Sequence, residues 1–355
     1  MTNVSKQVLQ VKGYRGLRSF RVDPVADVNL FLGRNNVGKT SVLEAVQLAR
    51  SRSPIGSLRS NALRRREIRF LDPDAERAYR YNWVDLSHAY WGRVLRPGAQ
   101  IEVALKGSPS VTVTVESGDP GQGVLFEEGG PEFVLATRRG GQDVERVPIS
   151  QEGVLPELQR RPASLPKMPE QDLFLTTEGL EGQRLAVLFN EVTLRGEENL
   201  LVEALRILDE RVRGVHVLTN PSGLEPLVLL DRNGAGRQPV GSFGDGMKRL
   251  LTLAVAIVNS ANGTLQIDEI DTGLHHSVLQ QMWTLVLHSS RDRRVQLFAT
   301  THSHDCIQAL RWALEVDPEQ ADRVAVHKVV ADQEKAISFT GAELLVALQH
   351  DVELR

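Results

Sequence analysis

Between residues 27 and 46 the chain reads DVNLFLGRNNVGKTSVLEAV. A compact apolar run gives way at once to a glycine loop, and then to apolar positions at helical spacing, Val42, Leu43, Val46 and Leu48. A buried strand feeding a loop and then an amphipathic helix predicts a mainly parallel sheet covered by helices. The loop itself, GRNNVGKT at residues 33–40, matches the pattern of glycine, four residues, then Gly-Lys-Thr. Loops of this kind present successive backbone N–H groups as a concave anion nest, with the positive end of the following helix behind them. Gly33 and Gly38 let the backbone approach phosphate, and Asn35 and Asn36 are nucleotide-binding candidates between them. Lys39 would reach the β- and γ-phosphates, Thr40 would ligate Mg²⁺ and Ser41 would bond the α-phosphate.

The same alternation of strand and helix returns late in the chain. DLFLTT reads as a strand, EGQRLAVLFNEV and GEENLLVEALRILDERV as helices, and GVHVLT and PLVLLDRNG as strands. TLQIDEID and RVQLFATTHS are further strands, each followed by a helical pattern, and DRVAVHKVV with KAISF suggests a closing hairpin before a last helix, GAELLVALQ. The opening QVLQVKGYRGLRSFRVDP reads as two short antiparallel strands. From residue 51 the text is basic, turn-rich and proline-spaced, with alternating strand patterns in AQIEVALKG and SVTVTVESG. This predicts an α/β core split into residues 1–50 and 171–355 by a β-rich, irregular region at 51–170. Sustained heptads are absent, so no long coiled coil is expected.

Bulk composition narrows the class. Of the 355 residues, 42 are basic and 45 acidic, for a formal charge of −3, which excludes a globally basic nucleic-acid coat but not a local patch. The single cysteine, Cys306, forbids an intrachain disulfide and suits a reducing cytoplasm. No apolar run reaches the ~20 residues that span a bilayer, and the first residues lack a signal-peptide layout. A cytoplasmic protein without a membrane partner is expected.

Two strand ends carry the remaining chemistry. TLQIDEID ends on carboxylates; alone it would read as a solvated acidic turn, but beside a phosphate loop Asp268 would hold Mg²⁺ and Glu269 would orient or deprotonate an attacking water. LFATTHS places His302 one helix further on, where a γ-phosphate-sensing histidine belongs. A third stretch, SFGDG at 242–246, sets two glycines at the mouth of a long apolar helix, although glycine costs a helix roughly 1 kcal/mol relative to alanine.

Taken in order, VKGYRGLRSF, GRNNVGKTSVLEAV, SFGDGMKRLL, IDEIDTGLHHS, FATTHS and the tail GAELLVALQHDVELR resemble the ABC-type ATPase core. More narrowly they resemble its SMC, RecF and OLD branch, and within it the AAA-family OLD-like ATPases. The resemblance covers residues 8–50 and about 171–355. It implies that SFGDG is the signature motif, with Ser242, Gly244 and Gly246 meeting a nucleotide held by a second subunit. It also implies that His302 is the switch histidine and that TGLHHS, 272–277, is the D-loop, with His275 where transporters carry aspartate. Arg15 matches an N-terminal arginine that approaches the phosphates in this branch; otherwise it is an exposed turn arginine. A Q-loop glutamine is not identified: Gln47 falls in the phosphate-loop helix. The long arms of SMC proteins are missing, and so is the Asp-x-Asp pair of a C-terminal Toprim nuclease.

The resemblance implies an ATP hydrolase using ATP and Mg²⁺, built as a head-to-tail homodimer or higher oligomer. It further implies a separately encoded effector, a nuclease or toxin, in antiviral defence. An assembly scaffold with little turnover and a RecF-like DNA-repair ATPase are the other readings. For the last, SLRSNALRRREIR (57–69), with Arg64, Arg65 and Arg66, would contact phosphate backbone, and Trp83 and Trp91 lie nearby.

Overall fold

The structure is a computed structural model that describes residues 7–69, 83–118, 133–150, 154–155, 172–180, 182–218, 227–232 and 236–349. In chain order its elements begin β1 (Gln7–Tyr14), β2 (Leu17–Val25), β3 (Val28–Leu32), α1 (Lys39–Arg50), α2 (Pro54–Arg64), β4 (Ile68–Arg69) and β5 (Trp83–Asp85). Then follow β6 (Gln100–Leu105), β7 (Val111–Ser117), β8 (Phe133–Arg139), β9 (Gln142–Ile149), β10 (Val154–Leu155), β11 (Asp172–Leu175), α3 (Gly182–Leu194) and α4 (Glu198–Arg206). The chain continues with β12 (Val212–Leu218), β13 (Leu227–Arg232), β14 (Gly236–Pro239), α5 (Asp245–Asn259), β15 (Thr264–Ile267), α6 (Leu279–Asp292) and β16 (Gln296–Thr300). It closes with α7 (His304–Val316), β17 (Val324–Lys328), β18 (Ile337–Thr340) and α8 (Gly341–Gln349).

These elements form two compact units: residues 1–25, 36–168 and 329–337 make the first, and 26–35, 169–328 and 338–355 the second. The first is built on a six-stranded antiparallel sheet, β2-β1-β6-β7-β8-β9. The expected N-terminal strand pair is there, and β1 pairs directly with β6, Val11 opposite Val103. The structural division therefore cuts across the sequence boundary at residue 50, because the strands expected in an insertion extend the N-terminal hairpin. The stretch read as basic and turn-rich contains a helix, α2. Ser53 caps it by accepting from the Gly56 N–H, and Pro54 occupies its first position. Proline there loses no helical hydrogen bond and has its φ already set. The turn clusters GDPGQG and EEGGPE and the proline-spaced run 155–171 lie almost wholly outside the described residues.

The second unit holds the expected parallel sheet, in the order β11-β15-β16-β3-β17-β18, with every pair from β11 to β17 parallel. All five residues of β3 are buried, as expected of a strand inside a parallel sheet. Leu173, Leu265, Leu297, Val28 and Val324 stand in register across five strands. With their i+2 neighbours they join one hydrophobic core with residues of α3, α4, α5, α6, α7 and α8. Helix α5 is buried along nearly its whole length, which explains its apolar run. The expected pairing of the last two strands is there, β18 lying beside β17 at the sheet edge, and β17 also pairs in parallel with β3, Val326 opposite Leu30.

One buried titratable group marks this sheet. His327 in β17 is fully buried, 2.9 Å from the Ser338 hydroxyl and 3.2 Å from Asn29 Oδ1. Burial pulls its imidazole from the ordinary 6.5 down to about 3. The folded protein thus keeps His327 neutral while the unfolded chain takes up a proton below about pH 6.5. Its contribution is complete above that pH and declines as the pH falls toward 3. Between pH 7 and 5 the wild type should lose about 2 kcal/mol of stability relative to His327→Gln, read from paired urea unfolding curves.

Candidate functional site

Strands β15, β16 and β3 are neighbours and parallel, so their C-terminal ends leave one edge of the sheet, the usual ligand edge of such folds. β3 ends directly before Gly33, β15 before Asp268 and β16 before Thr301. From Gly33 the loop turns through three left-handed residues, Gly33 (φ 144°), Asn36 (φ 64°) and Gly38 (φ 102°). Helix α1 then starts at Lys39 with no side-chain cap and no acidic residue in its first turn. A helix mouth without a capping carboxylate is suited to an outside anion. Lys39 and Ser41 are buried, while Asn35 is exposed and Thr40 partly so.

The carboxylate turn after β15 is held from several sides. The Thr300 hydroxyl donates to Asp268 Oδ1 at 2.6 Å and accepts from the Glu269 N–H at 2.8 Å. The N–H of Ile270 donates to the Thr300 carbonyl at 3.0 Å, and that of Asp268 to the Leu175 carbonyl at 2.8 Å. Glu269 adopts φ 46°, a left-handed conformation uncommon outside glycine and concentrated at functional sites. Its carboxylate lies 3.2 Å from His302 Nδ1 through Oε1, and Oε2 accepts from the Thr272 hydroxyl at 3.2 Å. Asp271 accepts from the Thr301 hydroxyl at 2.7 Å, so the turn is tied to both threonines that precede His302. Beneath it, the buried Arg249 of α5 donates to the carbonyls of Thr176, Asp268 and Glu269. Burial lowers the Arg249 pKa to about 10, the acidic turn opposing the shift, so the guanidinium stays charged at neutral pH. Glu269 and His302, named from the sequence, are thus brought together. Arg249 and Thr300 were missed, although an arginine inside GMKRLLTLAVAIV and a Thr-Thr pair before histidine were visible signals, and Thr272 was named only as the first residue of TGLHHS.

The SFGDG stretch behaves unlike a plain helix start. Ser242 is exposed in a short 3₁₀ turn, and Gly244 (φ 83°, ψ 177°) bends the chain into α5. Gly246 is needed for closeness: a Cβ there would sit 3.2 Å from the Gly273 carbonyl and 3.3 Å from Leu208. The SFGDG stretch and residues 273–274 are therefore in contact. In that second unit a cleft of about 640 Å³ is lined by Asp209, Arg211, Arg232, Ser242, Phe243 and Met247, among others. Arg232 lies over the Phe243 ring at 4.9 Å and pairs with Asp209 at 2.7 Å. His275 bonds the Ser277 hydroxyl at 2.9 Å within the stretch read as the D-loop.

Arg15 is neither an exposed turn arginine nor aimed outward. Its side chain is 8% exposed, and it donates to Glu44 at 2.7 Å and to both oxygens of Glu67 at 2.6 and 3.1 Å. Arg65 reaches the other oxygen of Glu44 at 2.8 Å, and Arg64 bonds Gln47 and Asn61. Two of the three arginines read as a nucleic-acid contact are thus engaged inside the first unit. Gln47, in α1, is a partner of Arg64. Trp91 is exposed beneath the Arg18 guanidinium at 5.1 Å, and the side chain of Trp83 lies outside the described residues. No group of three or more His, Cys, Asp or Glu residues suited to a metal occurs among the described residues, nor a helix long and apolar enough to cross a membrane.

Comparison with known proteins bears on the fold. Residues 158–305 match the family described as "AAA domain, putative AbiEii toxin, Type IV TA system". That range contains SFGDG, Asp268, Glu269 and His302, but not the phosphate loop. An ATP/GTP phosphatase of Helicobacter pylori is 28% identical over 116 residues, which are 32% of this chain and 30% of that protein. The DNA replication and repair protein RecF of Thioalkalivibrio sulfidiphilus is 55% identical over 40 residues, 11% of each chain. These curated relatives are thus covered over less than a third of their length. A crystal structure of an SMC head bound to the C-winged helix domain of ScpA superposes with a TM-score of 0.50 at 15% identity, covering 94% of this chain and 97% of that one. The chain has the fold of an ABC-type P-loop ATPase head.

The double role of Thr300 has a direct consequence. Thr300→Val removes both the donor to Asp268 and the acceptor for Glu269 N–H, and should lower stability by about 1–3 kcal/mol in urea unfolding. Thr300→Ser keeps the hydroxyl and should stay near the wild type.

Proposed function

We propose that this chain is a Mg²⁺-dependent ATPase that pairs head-to-tail with a second copy around two ATP molecules, and that this cycle controls a separately encoded effector. The observation that carries the reading is the Glu269 carboxylate, placed between His302 and Thr272 on a braced turn at the ligand edge of the sheet. A carboxylate held in that way is oriented to accept a proton from an attacking water. In this reading His302, half exposed beside it, would sense the transferred phosphate, which its contact with Glu269 supports. The residues present fit a polyphosphate: left-handed glycines open the loop, and α1 begins without a side-chain cap at Gly38 and with Lys39 at its first position. When bound, Mg²⁺ would neutralise phosphate charge, and the sequence resemblance names Thr40 in the first unit and Asp268 in the second as residues that would hold it.

The exposed Ser242 beside Gly244 supports a role for SFGDG toward a nucleotide on another subunit, because it presents a hydroxyl and bare backbone outward. The separately encoded effector rests on the resemblance to OLD-like ATPases, while the matched family's description, which names a putative toxin and a Type IV TA system, supports a place in a system of that kind. We place the system in antiviral defence and in the cytoplasm on the resemblance to OLD-like ATPases.

Glu269→Gln should lower phosphate release by about 100-fold or more while ATP is still bound. Sedimentation of that variant in saturating ATP should show a dimer. A variant that stayed monomeric would remove the head-to-tail arrangement, and equal phosphate release from variant and wild type would point to a scaffold.

A further inference from the structure

Arg249 is an anomaly within α5. Its neighbours Leu250, Leu251 and Leu253 fill the core, yet this buried position, 5% exposed, holds a guanidinium. Its hydrogen bonds all go to main chain: Nη1 donates to the Thr176 carbonyl at 2.8 Å, and Nη2 to those of Asp268 at 3.0 Å and Glu269 at 2.6 Å. Its Nε has no partner. Burying a cation without a contacting carboxylate is costly, and packing alone would be better served by leucine or methionine. What the guanidinium provides is a fork able to hold several carbonyls of an irregular turn at once. The carbonyl it holds most closely belongs to Glu269, the residue with the left-handed backbone, and such conformations persist only when their surroundings over-determine them. A second contact joins the same two segments, since Gly246 abuts the Gly273 carbonyl and Gly273 lies against Asp245.

We propose that Arg249 is a positioning residue that ties the N-terminal part of α5, and with it the SFGDG loop, to the backbone of residues 268–269. A group engaging that loop and the aim of the Glu269 carboxylate then move together. The tie itself is a property of the folded chain; its effect on turnover rests on the ATPase reading above.

Hydrogen exchange of the full-length, nucleotide-free protein tests the tie. In Arg249→Met, amides of residues 268–270 should exchange faster by on the order of tenfold, the factor that one lost charge-assisted hydrogen bond represents, while α6 and α7 keep wild-type protection. Arg249→Lys, which retains charge and donors but not the fork, should fall between. In turnover assays, kcat should drop on the order of tenfold or more with KM within about threefold of wild type. Unchanged exchange at 268–270 in Arg249→Met, or protection lost equally across α5, α6 and α7, overturns the proposal. Should Arg249→Met fail to fold, Arg249→Lys decides on the same readout: a local rise supports the tie, and wild-type exchange overturns it. A local rise combined with no phosphate release from the wild type would remove the ATPase reading and leave the tie standing. Unaltered exchange with an active wild type would do the reverse.

Discussion

A parallel strand that stops leaves its last backbone groups without ladder partners, and something else must satisfy them. At the C-terminal edge of this sheet that need is met by side chains. The Thr300 hydroxyl serves one carboxylate and one amide, and Arg249 collects three carbonyls from two segments. The ligand edge is thereby made rigid by the same groups that complete the sheet. Glu269 can occupy a left-handed conformation because its N–H, its carbonyl and its carboxylate each have a fixed partner.

The first unit secures its phosphate-loop helix by a different means. Helix α1 carries Glu44 on its buried side, where two arginines and the Tyr14 hydroxyl converge on one carboxylate. Arg15 comes from the turn joining β1 and β2, and Arg65 from the end of α2. The hairpin, α1 and α2 are therefore fastened at one charged point, and burial raises the Tyr14 phenol well above its ordinary range, keeping it neutral as a hydrogen-bonding spacer.

How far these features could be read from the sequence depended on whether their cause was local. The phosphate loop was legible because its glycines and lysine lie within eight residues and between a strand and a helix that frame them. The Glu269–His302 pairing was legible only as two strand ends, since their contact requires β15 and β16 to be neighbours. Helix α2 was misread because Ser53-Pro54 looks like a turn, although the same pair caps and opens a helix. The neighbouring strands β17 and β18 were legible because they lie close in sequence, whereas the parallel pairing of β17 with β3 joins segments far apart in the chain and is hinted at only by the unbroken apolar VAVH. Arg249 escaped because an arginine next to Lys248 reads as surface charge, and only the fold shows which of the two points inward.

The charged point on α1 also bears on heat. Helices held by hydrocarbon alone rely on a force whose strength per unit area levels off on warming, whereas the penalty for dehydrating ions shrinks as temperature rises. Glu44, Glu67 and Arg15 form such a largely desolvated set, and the partly exposed Arg65 balances its charge. The attachment of α1 to its hairpin is then expected to hold comparatively well near the upper end of the protein's thermal range, keeping the phosphate loop anchored while purely apolar contacts elsewhere begin to give way.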